Sequence, residues 1–432
     1  MATLFATRGV KSTIITTPLN ATLLCDRIQR RKYAGIPIDI KILKFPCAVV
    51  GLLEGTEDAH ALTSPEESMK FFKALTMLQE PLKQLLQESK PDCLVADMLY
   101  PWATASAGKF GIPTLVFCVF SIFSLCITMC LEMYKPHRNI ESDSETFVVP
   151  NFPDNIKLTR KQMGSKRYSE LVMASRESAM NSYGILVNSF YELEGTYADH
   201  YWNEFGVKMW HIGPFFLYNR GIEDKAHREK EASIDEHECL KWLDSKEPNS
   251  VVYICFGTLT QFNCAQLKEI AMGLEASGQQ FIWVVRKHSR EEQDWLPKGF
   301  EQRMEGKGLI IKEWAPQLLI LEHQATGGFV THCGWNSTIE GVCGGVPMVT
   351  WPIMADQFYN EKLVTEVLKI GIPVGVSKSV AMVGDFVQKE AIEKAVKEII
   401  EGEKVEEMWS RAKELREMER KTTEKAVRHT LI

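Results

Sequence analysis

WAPQLLILEHQATGGFVTHCGWNSTIEGVCGGVPMVTWPIMADQ, residues 314–357, reads as two consecutive strand–loop–helix units. Phe329–Thr331 is a strand, His332-Cys-Gly-Trp-Asn-Ser has the makeup of a tight turn, and Ser337 onward is helical. Gly344-Gly-Val-Pro follows, then the strand Met348–Thr350, then Trp351-Pro and the pair Asp356-Gln357. Strands that alternate in this way with helices belong to an α/β class with parallel sheets.

The alternation continues on both sides of this stretch. In the first half the strand candidates are Lys11–Thr17, Ile38–Lys44, Cys93–Ala96, Thr114–Cys118 and Ile185–Ser189. Amphipathic stretches, notably Ser68–Glu88 and Tyr168–Tyr183, fall between several of them. A second series runs Val251–Phe256, Phe281–Val285, Leu309–Lys312, Phe329–Thr331 and Met348–Thr350. Between the series lies a polar stretch rich in Lys, Glu, Asp and Arg. It predicts a first domain over 1–218, a linker over 219–235 and a second domain over 236–405. Residues 406–432 predict an amphipathic helix packed back across the domains, with Met408, Ala412, Leu415 and Met418 on its apolar face. A length of 432 residues exceeds what one core usually supports, in keeping with two domains.

Composition excludes several function classes. A net charge of -6 with no run of Lys or Arg argues against nucleic-acid binding, which needs a basic patch to neutralise phosphates. Eleven thinly spread cysteines, with no C-x-x-C pair, form neither a disulfide framework nor a structural zinc site. Reduced, mostly buried thiols in a cytoplasmic protein are expected instead. The start carries no signal-peptide pattern. Ile112–Leu131 (IPTLVFCVFSIFSLCITMCL) is long and apolar enough to span a bilayer, but it opens on Ile-Pro after Phe-Gly and continues with a β-rich run. It therefore predicts a buried strand followed by a buried helix.

The turn after Phe329–Thr331 is the first candidate site. Asn336 and Ser337 are N-cap residue types, and the free N–H groups of a helix start hold an anion without a lysine cluster. A diphosphate fits there. His332 just before the turn can donate to a phosphoryl oxygen. Glu340, one turn into the helix, is badly placed for phosphates but well placed for the vicinal hydroxyls of a ribose. Asp356 and Gln357 follow a strand at its carboxyl end, where open α/β sheets bind ligands, and a carboxylate beside an amide can grip several sugar hydroxyls. Trp314 offers a flat face on which a base can stack. Singly, each of these residues has a plain structural role: a Trp in the core, a surface His, a helix cap.

Together, in this order and spacing, they match the plant secondary product glycosyltransferase signature from its opening Trp to its closing Gln. The resemblance extends over essentially the whole chain, to plant members of glycosyltransferase family 1, and most of all to the branch acting on flavonoids, other phenolics and triterpenoids. VADMLYPWAT (95–104), ILVNSFYELE (185–194), HIGP (211–214) and SVVYICFGTLTQF (250–262) also match. The resemblance implies two Rossmann-like, doubly wound domains facing across a cleft, the GT-B type. It implies that Trp314 stacks on uracil, Ala315 gives backbone contacts, and Gln317 and Glu340 reach the ribose. Thr258, His332, Asn336 and Ser337 would hold the diphosphate, Trp335, Asp356 and Gln357 would face the sugar, and Gly334 also belongs to the donor site. The closing Gln goes more often with UDP-glucose. A monomer is implied, with UDP-glucose as co-substrate, a small hydroxylated acceptor, no metal and no cofactor.

Such enzymes invert the anomeric centre by direct displacement. A His takes the acceptor's proton and an Asp orients that His. The Asp matches as Asp97. The His is expected after a first strand that would precede the helix ending Leu4-Phe-Ala-Thr-Arg-Gly9, and the first histidine present is His60. The first domain is therefore expected to lack its first, central strand. That leaves an open slot beside Lys11–Thr17 and costs about 10² to 10⁴ in rate if the base is lost. Cys118-Val-Phe-Ser stands where relatives carry His-Gly-Thr-Ser, so Phe120 replaces a Thr expected to touch the donor sugar. The alternative function is a catalytically silent, shortened paralogue that only binds UDP-sugar. A nicotinamide dehydrogenase is disfavoured, because no G-x-G-x-x-G follows a strand candidate.

Overall fold

The computed structural model describes residues 1–59, 62, 64–218, 236–285 and 295–428; the 219–235 linker and His60 lie outside them. The strands, in chain order, are β1 (Ser12–Thr16), β2 (Ile38–Ile42), β3 (Leu94–Asp97), β4 (Thr114–Cys118), β5 (Thr146–Val148), β6 (Lys157–Thr159) and β7 (Gly184–Val187). They continue with β8 (Met209–His211), β9 (Val251–Cys255), β10 (Gln280–Val285), β11 (Gly308–Lys312), β12 (Thr326–Thr331), β13 (Met348–Thr350) and β14 (Gly371–Pro373). Every strand expected from the sequence is present, shifted by a few residues at most.

The chain divides into two compact units. One comprises Met1–Cys118 with Ala174–Leu186, the other Val119–Met173 with Val187–Ile432. The described part of the 236–405 stretch thus forms one unit with β5, β6, β8 and the helices Ile122–Tyr134 and Tyr191–Phe205.

In the first unit β1 pairs with β2 in parallel, while β3, β4 and β7 lie side by side in a different sheet. The strands of this unit thus fall into two sheets, with a break between β1-β2 and β3-β4-β7. Ile15 of β1 nonetheless packs against the cluster Leu82, Leu86, Leu94, Ala103, Ala107 and Ile112, so the apolar core runs past the break. The amphipathic stretch Ser68–Glu88 lies in two helices, Pro65–Met77 and Gln79–Ser89. Pro81 is the cause, since it has no N–H to give and its ring crowds the carbonyl four residues back, at Met77. Ser64 caps the first of the pair, its side chain accepting from the Glu67 N–H at 3.2 Å.

In the second unit β11-β10-β9-β12-β13-β14 form one sheet in which every pair is parallel. Its central strands are buried, β12 throughout and β9 up to a half-buried Cys255, as a sheet covered on both faces requires. Helices Cys264–Ser277 and Lys389–Glu401 pack on each other, and Trp335–Gly344 packs on β12 and on the last helix, Val405–Arg428. That last helix buries Met408 and Ala412 and also meets the helix Tyr191–Phe205. Ile112–Leu131 resolves as foreseen into β4 and the start of the helix Ile122–Tyr134. Ser121 caps that helix, and its first ten residues are buried. At 13 residues it is too short for a bilayer. No helix among the described residues is long and apolar enough to cross a membrane.

Candidate active site

Chain order and spatial order differ in the six-stranded sheet. From β9 the chain builds outward through β10 to β11, then returns to lay β12, β13 and β14 on the other side of β9. The order therefore reverses between β9 and β12, the place where such sheets bind ligands beyond their carboxyl ends. Because all the strands are parallel, those ends share one edge. Gly257 and Thr258 follow β9, Trp314 and Ala315 follow β11, His332 and Gly334 follow β12, and Asp356 and Gln357 come in the loop and helix after β13. Residues up to 99 positions apart in the chain, Thr258 to Gln357, are thereby drawn to the same edge. Non-glycine residues with left-handed backbone stand after three of these strands: Glu313 at φ 76°, Cys333 at 62° and Ala355 at 56°. Strained positions of this kind persist where the surroundings over-determine them, and ligand edges are where they collect.

At the switch point the His332 ring is clasped by two glycines. A Cβ on Gly257 would lie 2.5 Å from its Cε1 and 2.6 Å from its Nε2. A Cβ on Gly334 would lie 3.0 Å from Cε1 and nearer still to Nε2. Only bare backbone passes here, and it fixes the imidazole without a hydrogen bond. Burial pushes the His332 pKa down to about 4, so the ring is neutral at pH 7. Its Nδ1 has no hydrogen-bond partner among the described residues.

The helix Trp335–Gly344 starts immediately after this turn. Gly334, and not Asn336 or Ser337, is its N-cap, a correction of two residues to the expected helix start. The correction favours an anion, because the helical N–H groups of Trp335, Asn336 and Ser337 all fall within the first turn, where no backbone acceptor exists. Trp335 departs from expectation in another way. Its indole is buried and its Nε1 donates to the Asn188 carbonyl at 3.0 Å, so its backbone is what remains for a ligand. Asn188 Nδ2 also donates to Asn336 Oδ1 at 3.3 Å, and its own Oδ1 accepts from the Phe215 N–H at 3.0 Å. Neither this tether nor the glycine clasp was visible in the sequence. Both need knowledge of which loops meet, and the one available signal was an amide residue ending a buried apolar run.

The expected ribose pair is assembled. Gln317 Nε2 donates to Glu340 Oε2 at 2.7 Å and to Ser337 Oγ at 3.3 Å, and its Oε1 accepts from the Tyr253 hydroxyl at 3.1 Å. Tyr253 fixes the amide so that its NH₂ faces the carboxylate. Trp314 and Ala315 are half-buried beside the helix that carries Gln317. Thr258 is half-buried in the loop after β9.

Asp356 and Gln357 lie at the start of the helix Gln357–Lys362. Gln357 Oε1 accepts from the N–H groups of Ile353 at 2.8 Å and Met354 at 3.0 Å. Its carbonyl end is thus used internally, and its amide NH₂ is the end suited to a hydroxyl oxygen. Asp356 Oδ2 accepts from Asn360 Nδ2 at 2.9 Å. Burial pushes its pKa up to about 7, with that hydrogen bond opposing. An acceptor and a donor therefore stand in adjacent positions, the arrangement a polyol needs.

In the other unit Asp97 is the last residue of β3, one residue earlier in the loop than the sequence suggested. Its Oδ1 accepts from the Leu99 N–H at 2.9 Å, and burial raises its pKa to about 6. Asp97 does not cap the helix that follows, Trp102–Gly108, whose N-cap is Pro101.

A helix start with open N–H groups, the bonded Gln317–Glu340 pair and the adjacent Asp356 and Gln357, on one carboxyl edge, mark an α/β protein of the nucleotide-binding class. The family pattern described as UDP-glucoronosyl and UDP-glucosyl transferase matches residues 211–416. Scopoletin glucosyltransferase of Nicotiana tabacum is 54% identical over 431 residues, covering 98% of this chain and 90% of its own. UDP-glucose flavonoid 3-O-glucosyltransferase 7 of Fragaria ananassa is 50% identical over 98% of this chain and 89% of its own. The crystal structure of Glycyrrhiza uralensis UGT73P12 complexed with glycyrrhetinic acid 3-O-monoglucuronide superposes with a TM-score of 0.89. It is 38% identical, over 99% of this chain and 91% of that one. The chain belongs to the UDP-glucuronosyl and UDP-glucosyl transferase family, with the GT-B fold of its plant members, and it is a UDP-dependent glycosyltransferase.

Proposed function

We propose that the chain transfers a glucosyl group from UDP-glucose, with inversion, to a hydroxyl of a small plant phenolic or triterpenoid. The observation that carries the donor half is the bonded Gln317–Glu340 pair beside the free helix start at Trp335–Ser337. These groups meet a ribose and a diphosphate in the order in which UDP presents them. Uracil would lie on Trp314 against the Ala315 backbone. Thr258, His332, Gly334, Asn336 and Ser337 would take the phosphates, and Asp356 with Gln357 the hexose. The diphosphate charge would be met by helix N–H groups and the His332 ring, so no metal is needed. Every donor residue comes from one chain, so one copy suffices, and free cysteines suit a reducing cytosol.

For the acceptor, support comes from the relatives. Two carry scopoletin and flavonoid in their names, and the solved structure holds a glucuronide of glycyrrhetinic acid. In the displacement, Asp97 would be the orienting carboxylate for the base that takes the acceptor's proton. The test is mass-spectrometric detection of hexosylated product from scopoletin, a flavonol and a triterpenoid, with UDP-glucose and UDP-galactose as competing donors. A β-linked glucoside formed preferentially from UDP-glucose is the expected result. An α-linked product refutes inversion. UDP-glucose binding without transfer to any acceptor refutes the transfer and leaves a donor-binding protein.

A further inference from the structure

Beyond the residues assigned to the donor, one fully buried side chain ties two parts of its site together. Asn360 has no exposed surface, and both ends of its amide are engaged. Its Nδ2 donates to the Cys333 carbonyl at 2.9 Å and to Asp356 Oδ2 at 2.9 Å, and its Oδ1 accepts from Ser121 Oγ at 2.6 Å. We propose that Asn360 is the positioning residue that presents the Asp356 carboxylate to the hexose of the donor, and that Ser121 fixes the direction in which its amide faces. This rests on the donor-site reading above and adds to it a residue outside the signature.

The direction of every bond follows from the chemistry of the partners. A backbone carbonyl and an ionised carboxylate can only accept, so both must face the NH₂ end of the amide. Ser121 Oγ already accepts the Ser124 N–H at 3.0 Å as cap of its helix, which leaves its proton to give to Asn360 Oδ1. One orientation of the amide satisfies all three partners, and the flipped one sets its carbonyl oxygen against the Cys333 carbonyl and the Asp356 carboxylate. Asp356 and Asn360 stand four residues apart at the start of the helix Gln357–Lys362, where side chains share a face.

Two consequences bear on the sugar. One oxygen of Asp356 is tied to Asn360, which sets the plane in which the other meets a hydroxyl. The same amide holds the carbonyl of Cys333, in the left-handed turn ahead of the phosphate helix, so hexose and diphosphate contacts keep one register. Electrostatics point the same way. Asp356 faces the Cys333 thiol and the Tyr359 phenol, both of which burial keeps neutral. Against the burial that favours its protonated form, Asn360 is the side chain supporting its charge.

Equilibrium binding of UDP and of UDP-glucose to the full chain from pH 6 to 8.5 tests this without requiring turnover. The ratio Kd(UDP)/Kd(UDP-glucose) isolates the hexose. In the parent it should rise with pH as Asp356 ionises near pH 7. Asn360→Ala should lower the ratio about tenfold near pH 7, the scale of one hydrogen bond to a charged group, and move its rise to higher pH. Asn360→Asp sets two carboxyls within hydrogen-bond reach, where they share one proton. The pair stays singly ionised over this range, so its ratio should vary less with pH than the parent's. Ser121→Ala, which leaves Asn360 in place, should give a smaller loss in the same direction. An unchanged ratio in Asn360→Ala, with UDP and UDP-glucose weakened equally or not at all, overturns the proposal while the donor site stands. Should the Asn360 variants fail to fold, an unchanged ratio in Ser121→Ala overturns it. A parent that binds no UDP refutes the donor site itself, a separate outcome.

Discussion

Gly257→Ala probes the clasp around His332, and its cost separates into two parts. Gly257 has φ +67°, and an L-residue held in that left-handed region costs roughly 1–2 kcal/mol. The new methyl would also lie 2.5 Å from His332 Cε1, where ordinary contacts begin at 3.4 Å. The ring must therefore retreat by almost an ångström, and Gly334 closes the neighbouring approach. Overpacking of this kind costs about 1–3 kcal/mol, for a total of roughly 2–5 kcal/mol. Gly278→Ala is the matched control, with φ +70° and no atom within 4 Å, so it carries the conformational part alone. Denaturant unfolding of both variants should show Gly257→Ala to be the less stable by the overpacking part. UDP affinity, measured by calorimetry, should drop about tenfold or more in Gly257→Ala, since a displaced imidazole loses a hydrogen bond to a charged phosphate. It should be unchanged in Gly278→Ala. In a His332→Ala background, Gly257→Ala should no longer carry the overpacking part of its cost, because the clash partner is gone. If the two glycine variants are equally stable and both bind UDP as the parent does, the ring does not sit where the clasp requires.

Three other perturbations follow from the same geometry. Glu340→Ala should erase the preference for UDP over 2′-deoxy-UDP, about tenfold in Kd, and a preference that survives means Glu340 does not read the ribose. Arg416 Nη1 donates to the Gly344 carbonyl at 3.1 Å, so Arg416→Ala should uncap the far end of the phosphate helix. We expect a loss of about 1 kcal/mol in stability with UDP affinity within about twofold, and an unchanged unfolding midpoint would count against it. Glu194 is fully buried, and burial pushes its pKa up to about 7 while the Phe123 N–H at 3.0 Å opposes. The folded state then holds a proton that the unfolded state releases, so stability should fall as pH rises from about 4.5 to about 7. Glu194→Gln should flatten that slope and be more stable than the parent at pH 8 by on the order of 2 kcal/mol. Parallel pH–stability curves for the two proteins would refute it.

What the sequence by itself determined is the local half of the protein. Apolar runs of strand length bounded by Gly and Pro located β4 and β13 to the residue and the eight other expected strands to within a few residues, while β5, β6, β8 and β14, three residues each, are not among them. The Trp314–Gln357 stretch placed its candidate residues after the carboxyl ends of β11, β12 and β13, because its spacing is set by single strand-to-helix connections, and those obey chain-local rules. One misreading was a local conflict: Gly334 takes the cap that Asn336 and Ser337 are better suited to supply. What only the tertiary structure decided is which loops share an edge. Gly257 against His332, Tyr253 behind Gln317, Asn188 on Trp335, and Ser121 through Asn360 to Asp356 join residues 64 to 239 positions apart. Hydrogen bonds and steric contacts act over a few ångströms of space, so their partners have no signature in spacing. They follow from the parallel sheet order that reverses between β9 and β12.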